Sequence, residues 1–405
     1  MMNNNHTKKR RIEQDDDDDE TKTKFENLPV EIIHDVLSKL PISSLVQFKC
    51  VCRAWRVLGQ HPNLVNLYLT TTKQNDPCLI FHCDFPIRNQ LYFVDFAGNH
   101  EKVKRINTPF SPKMPEFDLV GSCNGLLCLS DSLYNDSIYI YNPFNSNYLE
   151  LPKSLNFPDQ QLVFGFGFHL QNFKLVKIIY YRNGYPRARR LVYPQSEVQI
   201  LTLGTSEWRS LGKISYQLVR RPSEALVNGS LHWVSRAQRY NPSRRIISLD
   251  LGEERFREVP KPDCGSLSRC NYHLLVLKGW LSAAVYCNYG RLEIWVMKEY
   301  SVKESWVKLY SIGAYTLPKA VKQNMDRSFK IWNKSLDRKV VRVLGILKNG
   351  EILLEYKSRV VVTYDPIIGK FKDLTLHGTP NWFQAVVHLV YFIIDLRTNL
   401  SISWH

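Results

Sequence analysis

The sequence lacks the short motifs that bind metals or phosphates or that position a catalytic nucleophile. Its nine cysteines include no Cys-x-x-Cys pair, and no two histidines stand at metal-ligand spacing, so neither a zinc site nor a disulfide framework is predicted. Gly-x-Ser-x-Gly, His-Glu-x-x-His and the Walker phosphate loop are also missing. We therefore expect no metal, no cofactor and no catalytic residue.

Long apolar runs are scarce as well. No N-terminal apolar run follows a basic region, and the longest apolar stretch near the end, residues 385–396, is interrupted by His388 and is too short to span a bilayer. We expect a soluble protein of the nucleus and cytoplasm. The nuclear part of this expectation rests on the basic cluster at residues 8–11, which is typical of a nuclear localisation signal.

Acidic residues are in the minority. The chain has 54 Lys and Arg against 38 Asp and Glu, a net charge of +16. Residues 1–24 do not supply this excess, since they hold six basic and seven acidic residues, and their block charges and few apolar residues predict disorder. The folded part is therefore the basic part, which favours acidic peptides, phosphorylated segments or nucleic acid as partners.

One stretch, residues 28–55, has the apolar period of α-helices. Its first apolar series recurs every three or four residues, and Pro29 suits a first helical turn while Pro41 ends the helix. A second series runs from Ile42 to Trp55 and predicts a second helix, which Ser43 or Ser44 would cap. The members of the first series are Leu28, Ile32, Ile33, Val36, Leu37 and Leu40.

About 35 residues of short helices bury too little surface to be stable alone, so a packing partner is implied. Three interpretations are open from periodicity: a cap packed on the rest of the chain, a helix-turn-helix carrying Lys49, Arg53 and Arg56 into a DNA groove, or a docking motif.

The residues themselves favour the docking motif, because this stretch strongly resembles an F-box. The resemblance is carried by Leu28-Pro29, Glu31-Ile32-Ile33, Leu37, Leu40-Pro41, Ser44-Leu45, Phe48, Val51-Cys52 and Trp55. It implies docking on a Skp-type adaptor and, through it, on a cullin-based ubiquitin ligase. It further implies that ten residues divide between internal packing and the adaptor surface: Leu28, Pro29, Ile32, Ile33, Leu37, Leu40, Pro41, Leu45, Val51 and Trp55.

From residue 63 onward the helical period disappears and β-favouring segments take over, beginning with Leu67–Thr70. Five later passages share one layout: a glycine turn, an aliphatic strand, a second strand and a short strand opened by an aromatic residue. Four begin with Asn-Gly or Lys-Gly at residues 124, 228, 278 and 349, where glycine supplies the positive φ of a tight hairpin, and a fifth begins at residue 164. The closing aromatics are Tyr148, Trp208, Phe256, Trp306 and Phe371.

These aromatics are 60, 48, 50 and 65 residues apart, which fits four-stranded propeller blades. With residues 63–112 as a first blade, we predict about six blades and a strand near residues 385–395 that closes the ring. A large β-sandwich or two stacked barrels would carry the same strands. The passages also resemble the F-box-associated, kelch-like domain of plant F-box proteins, on residues 121–128, 141–143, 164–168, 294–300 and 305–306.

We therefore predict a mainly β protein with three parts: a disordered charged tail at residues 1–24, a small all-α F-box at residues 25–62 and a β-propeller at residues 63–398. His169 and His232 are interpreted as structural histidines, and Cys123 and Cys128 as buried, inert thiols. Gly165-Phe166-Gly167 lacks the third glycine of a dinucleotide-binding loop and is interpreted as a bulged strand.

One polar feature points to recognition, a set of arginines in predicted loops with tyrosines between them. Arginine grips carboxylate or phosphate in a bidentate manner, so a substrate surface is predicted at Arg187, Arg189, Arg190, Arg239, Arg244 and Arg245. The resulting hypothesis is a non-catalytic substrate receptor of a Skp-cullin-F-box ubiquitin ligase. The alternatives are a basic propeller that binds nucleic acid, with the helices as a cap, and, more distantly, a metal-dependent propeller oxidase.

Overall fold

The chain folds as two compact units, Met1–Thr71 and Thr72–His405. A computed structural model describes residues 28–40, 48, 51–59, 61, 63–64, 67, 78–83, 88–94, 96, 103–134, 137–170, 172–182, 195–237, 243–264, 271–287, 291–313, 341–356, 360–374 and 376–388. Within these residues, no helix has both the length and the apolar character that a membrane crossing requires.

The first unit contains helix α1 (Val30–Ser38). It begins directly after Pro29, whose φ of −51° is close to a helical value and whose carbonyl accepts hydrogen bonds from the amides of Ile32 and Ile33 at 3.0 and 3.2 Å. Glu31 lies in the first turn, where its charge interacts favourably with the helix dipole. The predicted first helix is therefore confirmed, while Pro41 lies outside the described residues.

The second apolar series does not form one continuous helix. Val51 is helical, but Cys52 is extended at φ −151° and ψ 172°, and α2 (Arg53–Leu58) begins after it. The Cys52 Sγ accepts a hydrogen bond from the Trp55 amide at 3.5 Å and so caps α2, which ends at Gly59. The predicted caps Ser43 and Ser44 lie outside the described residues. Leu67, predicted to open a β segment, is helical.

The second unit is built from six four-stranded antiparallel sheets, here called blades 1 to 6. Blade 1 contains β24 (Phe383–His388), β1 (Cys78–Cys83), β2 (Leu91–Val94) and β3 (Lys104–Ile106). Blade 2 contains β4 (Phe117–Cys123), β5 (Leu126–Asp131), β6 (Ile138–Tyr141) and β7 (Tyr148–Glu150). Blade 3 contains β8 (Gln160–His169), β9 (Asn172–Tyr181), β10 (Gln195–Thr202) and β11 (Arg209–Gly212).

The remaining blades repeat this order. Blade 4 contains β12 (Ala225–Val227), β13 (Ser230–Val234), β14 (Ile246–Asp250) and β15 (Phe256–Val259). Blade 5 contains β16 (Asn271–Leu277), β17 (Trp280–Tyr286), β18 (Leu292–Met297) and β19 (Trp306–Ile312), with the 3-10 turn Lys303–Ser305 before its last strand. Blade 6 contains β20 (Val341–Ile346), β21 (Ile352–Tyr356), β22 (Val360–Asp365) and β23 (Lys370–Asp373).

The glycine turns lie where the sequence predicts them, between the first and second strands of blades 2, 4, 5 and 6. Gly125, Gly229, Gly279 and Gly350 have φ values of 79°, 70°, 84° and 87°. In three of these turns the residue before glycine is left-handed as well, which is the twist that two-residue hairpins require. The strands that follow are almost entirely buried, as expected for the aliphatic strand of each unit.

The ring closes through β24, which pairs with β1 along its whole length, from Cys78↔His388 to Cys83↔Phe383. Neighbouring blades meet through their first strands, with β13 in place of β12 beside blade 3: β24 contacts β4, β4 contacts β8, β8 contacts β13, β12 contacts β16, β16 contacts β20, and β20 contacts β24. The six blades and the closing strand are thereby confirmed, and the sandwich and stacked-barrel alternatives are wrong.

The predicted bulge at Gly165-Phe166-Gly167 is wrong. β8 pairs with β9 in unbroken register from Gln160↔Tyr181 to His169↔Asn172. The glycines serve contact between blades instead, because a Cβ on Gly165 would lie 2.4 Å from Cζ2 of Trp233 in blade 4. The Trp233 indole also donates a hydrogen bond to the Phe164 carbonyl at 3.0 Å.

Two closing aromatics join consecutive blades by one repeated contact. The Trp208 indole donates to the Pro152 carbonyl at 2.8 Å, and the Trp306 indole donates to the Pro260 carbonyl at 2.9 Å. In both cases the acceptor follows the last strand of the preceding blade, and a buried indole N–H requires such an acceptor. These residues therefore connect blades as well as filling the core.

A buried ionic cluster connects the closing strand to blade 6. Arg342 on β20 binds the Glu355 carboxylate at 2.9 Å and the Ala385 carbonyl at 3.1 Å, while Glu355 accepts the Ala385 amide at 3.0 Å. The second Arg342 amino group binds Glu224 at 2.7 Å, just before the first strand of blade 4. Burial raises the pKa of Glu355, and Arg342 opposes that rise.

Candidate functional site

Helix α1 carries an exposed apolar stripe. Ile32 and Val36 are 49% and 56% exposed, and their spacing of four residues places them on one side of α1. Leu28, which lies before the helix, is 46% exposed and is counted with them in this stripe. Ile33 and Leu37, on the other side, are buried. The assigned residues that the structure describes therefore include both exposed and buried positions.

The helical residues from Val51 onward also expose apolar side chains. Val51 and Val57 are exposed, while Trp55 is half-buried and its ring stacks on Phe48 at 4.4 Å. Among the other assigned residues Pro29 is exposed and Leu40 is half-buried, whereas Pro41 and Leu45 lie outside the described residues.

The residues assigned from the resemblance omit Val30, Val36 and Val57, all of which are exposed. The four-residue spacing of Leu28, Ile32 and Val36 was the available signal for Val36. For Val57 the sequence carried no such signal, because the second apolar series ends at Trp55.

A buried histidine lies on the inner side of α1. The His34 ring lies 4.7 Å from the His61 ring, and its Nε2 is enclosed and finds no hydrogen-bond partner among the described residues. Burial, together with the nearby His61, lowers the pKa of His34. The exposed side of α1 carries one ion pair, between Lys39 and Asp35 at 2.7 Å, which solvent screens.

Of the six arginines predicted to bind substrate, the structure describes Arg244 and Arg245. They lie immediately before β14 and line a cavity of about 320 Å³ together with Ser243, Glu258, Val259 and Lys261. Arg187, Arg189, Arg190 and Arg239 lie outside the described residues, so whether they share a surface with this cavity stays a prediction.

Antiparallel order places the cavity at one face of the ring. In each blade the second strand ends, the third begins and the fourth ends at the same face, because neighbouring strands run in opposite directions. Arg244 and Arg245 open the third strand of blade 4, and Lys261 follows its fourth strand. Residues 183–194 and 238–242, which hold the other four arginines, join second strands to third strands.

The histidine and cysteines of the core have structural surroundings. His232 Nδ1 donates to the Ala225 carbonyl at 3.2 Å, so its Nε2 accepts from the Tyr300 hydroxyl at 2.8 Å, and burial lowers its pKa to about 4. Burial raises the pKa of the Cys123 thiol to about 12 and also raises that of Cys128. Across the described ranges, no three His, Cys, Asp or Glu side chains are grouped so that they could hold a metal ion.

Two family models match the chain and together span most of it. The F-box domain matches residues 25–66, and the F-box associated beta propeller domain matches residues 69–395. Among solved structures, an oligogalacturonate lyase from Vibrio parahaemolyticus is 8% identical over 75% of this chain and 80% of that chain, with a TM-score of 0.42, which is too low to bear on activity.

Curated relatives agree with the family models. The F-box protein At3g07870 of Arabidopsis thaliana is 57% identical over 382 residues, covering 90% of this chain and 91% of the relative. The F-box/kelch-repeat protein At3g23880 of the same plant is 28% identical over 311 residues, covering 72% and 80%. The chain therefore belongs to the F-box proteins that carry an F-box-associated β-propeller domain.

Proposed function

We propose that this chain is a substrate receptor of a Skp-cullin-F-box ubiquitin ligase. The observation that carries the proposal is the exposed stripe of Leu28, Ile32 and Val36 within the F-box match. Three exposed apolar side chains on α1 and just before it lose unfavourable contact with water when a partner covers them. The partner that F-box membership points to is a Skp-type adaptor, and through it a cullin scaffold.

The mechanism we propose is positioning. The F-box binds the adaptor while the propeller holds a target protein, so that ubiquitin transfer by other subunits becomes effectively intramolecular. In this mechanism the receptor contributes binding energy and geometry, and none of its own side chains takes part in a covalent step.

The test is adaptor binding by the purified full chain. Ile32→Asp with Val36→Asp places two charges on the stripe without changing the buried Ile33 and Leu37. We expect at least a roughly tenfold weaker complex, since a charge buried without a partner at an interface costs on the order of 2 kcal/mol or more. Isothermal titration with a Skp-type adaptor measures the change.

Ile367→Asp is the matched control, because Ile367 is 91% exposed on the propeller and undergoes the same chemical change. Adaptor binding that is unchanged in the stripe variant, or absent from the unmodified chain, contradicts the proposal. Retention on a polynucleotide column that falls steeply with salt, in a chain without adaptor binding, would instead favour the nucleic-acid alternative.

We further propose that the target protein binds at the face of the ring where third strands begin, and that it is acidic or phosphorylated. The basic character of the chain and the arginines before β14 support this choice. We also propose location in the nucleus and cytoplasm, on the basis of the cluster at residues 8–11. Loss of nuclear signal from a fluorescent fusion with these four residues replaced by alanine tests the location.

A further inference from the structure

Two strand ends bring basic side chains together in blade 4. Ile246 at the start of β14 pairs with Val259 at the end of β15, so the residues before Ile246 lie beside the residues after Val259. Arg244, Arg245 and Lys261 therefore reach one cavity of about 320 Å³. This volume is at the small end of ligand sites and suits a single charged side chain.

The charges around the cavity do not balance. Among the described residues that line it, Glu258 is the one carboxylate, and it binds Arg245 at 3.1 Å in a half-exposed ion pair. Lys261 donates its hydrogen bond to the neutral hydroxyl of Ser243. Arg244 and Lys261 are thus two cations for which the described part of the chain supplies no carboxylate.

Of these two cations, Arg244 gives the stronger indication of an anionic ligand. Its Nη1 is enclosed by the protein and has no hydrogen-bond partner within the part of the chain that the structure describes. A buried guanidinium nitrogen without an acceptor is energetically costly. Because Arg244 also lines the cavity, an oxyanion bound there would lie beside this guanidinium and offset part of that cost. Two cations at one cavity, one of them a guanidinium with an unmatched donor, favour the binding of an oxyanion.

The backbone around these residues is fixed by hydrogen bonds. The Tyr272 hydroxyl on β16 donates to the Arg244 carbonyl at 3.0 Å. The Arg245 amide donates to Ser235 Oγ at 2.8 Å, and the Ser235 amide donates to the Arg245 carbonyl at 2.8 Å. The backbone that carries these arginines is therefore ordered before a ligand binds, and the entropy cost of binding falls on the side chains.

We infer that the cavity bounded by Arg244 and Lys261 binds a phosphorylated side chain of a target protein, with a carboxylate side chain as the weaker ligand of the same site. A phosphate supplies three acceptor oxygens and nearly two charges, which match two cations better than one carboxylate does. The inference rests on the proposed receptor function, because it names the chemical class of the target.

The experiment uses the full chain and three bead-bound peptide pools with random flanks. The pools carry a fixed central phosphoserine, glutamate or serine. We expect retention in that order, and a loss of about tenfold on the phosphoserine pool for Arg244→Gln with Lys261→Gln, since each charge-assisted hydrogen bond makes a large contribution to binding. Arg257→Gln is the control, because it removes one charge from the same blade at a residue bound to Glu253 outside the cavity.

Each outcome decides the inference. Equal retention of the phosphoserine and serine pools, or equal retention of the double variant and the unmodified chain, overturns it. Elution by single-stranded RNA but not by free phosphopeptide assigns the site to nucleic acid and overturns it too. If the double variant does not fold, the exposed Lys261→Gln alone is expected to lose retention several-fold, and unchanged retention overturns the inference.

Adaptor titration of the same preparations separates the two proposals. Chain that binds the adaptor but shows no preference for phosphoserine contradicts the inference alone. Chain that prefers phosphoserine but does not bind the adaptor contradicts the receptor function and leaves the oxyanion site standing.

Discussion

Gly165 is a glycine because a side chain that is distant in sequence packs against it. Its place in an aromatic run indicates a local irregularity, yet the strand is regular and the missing Cβ makes room for Trp233. The same device occurs at Gly121, where a Cβ would lie 2.5 Å from Cβ of Phe166 in the next blade. Contacts between blades join residues that are far apart in the chain, so no local sequence pattern predicts them.

We predict that Gly165→Ala destabilises the propeller by about 1–3 kcal/mol, because the Trp233 ring must move in a filled core. Equilibrium unfolding in urea measures the loss. Gly313→Ala is the matched control, since no atom of the described residues lies within 4 Å of the point where its new methyl group would stand and its φ is not left-handed. Equal stability of the two variants would show that the ring moves without cost.

Two buried histidines predict how stability depends on pH. Burial lowers the pKa of His232 to about 4 and that of His388 to about 3, from an ordinary value near 6.5. The unfolded chain therefore binds more protons below about pH 6.5, so stability is fully present above that pH and is lost as pH falls towards 4. For His232 the loss reaches roughly 3 kcal/mol at pH 4.

The slope of unfolding free energy against pH, measured between pH 7.5 and 5, tests this prediction. The asparagine in His232→Asn does not titrate, so the slope of this variant is expected to be smaller by close to one proton near pH 5 and almost unchanged near pH 7.5. Any loss of stability that does not depend on pH leaves the slope unaffected. His377→Gln, at an exposed histidine of the same unit, serves as the comparison. An unchanged slope in the His232 variant would contradict the assignment.

At the scale of elements, β24 determines whether the sheets form a closed ring. β24 pairs with β1, so the edges of the two strands that face each other are hydrogen-bonded and not open. The Arg342 cluster holds β24 beside β20 and β21. Arg342 binds groups from β21, β24 and the segment before β12, so one side chain connects three blades.

We predict that Arg342→Met destabilises the propeller by about 3–5 kcal/mol, because Glu355 remains buried without its cation. The loss should shrink as pH falls, since the isolated Glu355 carboxyl then takes up a proton. Arg257→Met provides the contrast, because its ion pair with Glu253 is exposed and is worth about 0–1 kcal/mol. Urea unfolding at two pH values distinguishes the cases, and equal losses in both variants would contradict the role of the cluster.

At the scale of the whole molecule, the two units differ in how much apolar surface they bury. The propeller closes on itself and has a large buried core, whereas the F-box unit is short and exposes apolar side chains of α1. We therefore expect the stability of the first unit to depend on a partner.

We predict that residues 72–405, expressed alone, unfold at the same urea midpoint as the propeller of the full chain. Residues 1–71 should show little helical circular dichroism alone and gain it when a Skp-type adaptor is added. Strong helical signal from the isolated segment, without adaptor, would show that the F-box does not need a partner to fold.

The sequence determines the features of this protein that depend on local patterns. The F-box helix α1, the glycine hairpins and the repeated strands follow from apolar period and turn residues, which act over a few positions. The six blades follow from the regular return of that layout along the chain.

Only the tertiary structure decides which residues of distant segments meet. The break at Cys52, the contact between Gly165 and Trp233, the ionic cluster at β24 and the exposed side of α1 depend on neighbours that sequence spacing does not specify. The same holds for the cavity at Arg244 and Lys261. Seventeen residues separate them in the chain (261 − 244), and the pairing of β14 with β15 brings them to one site.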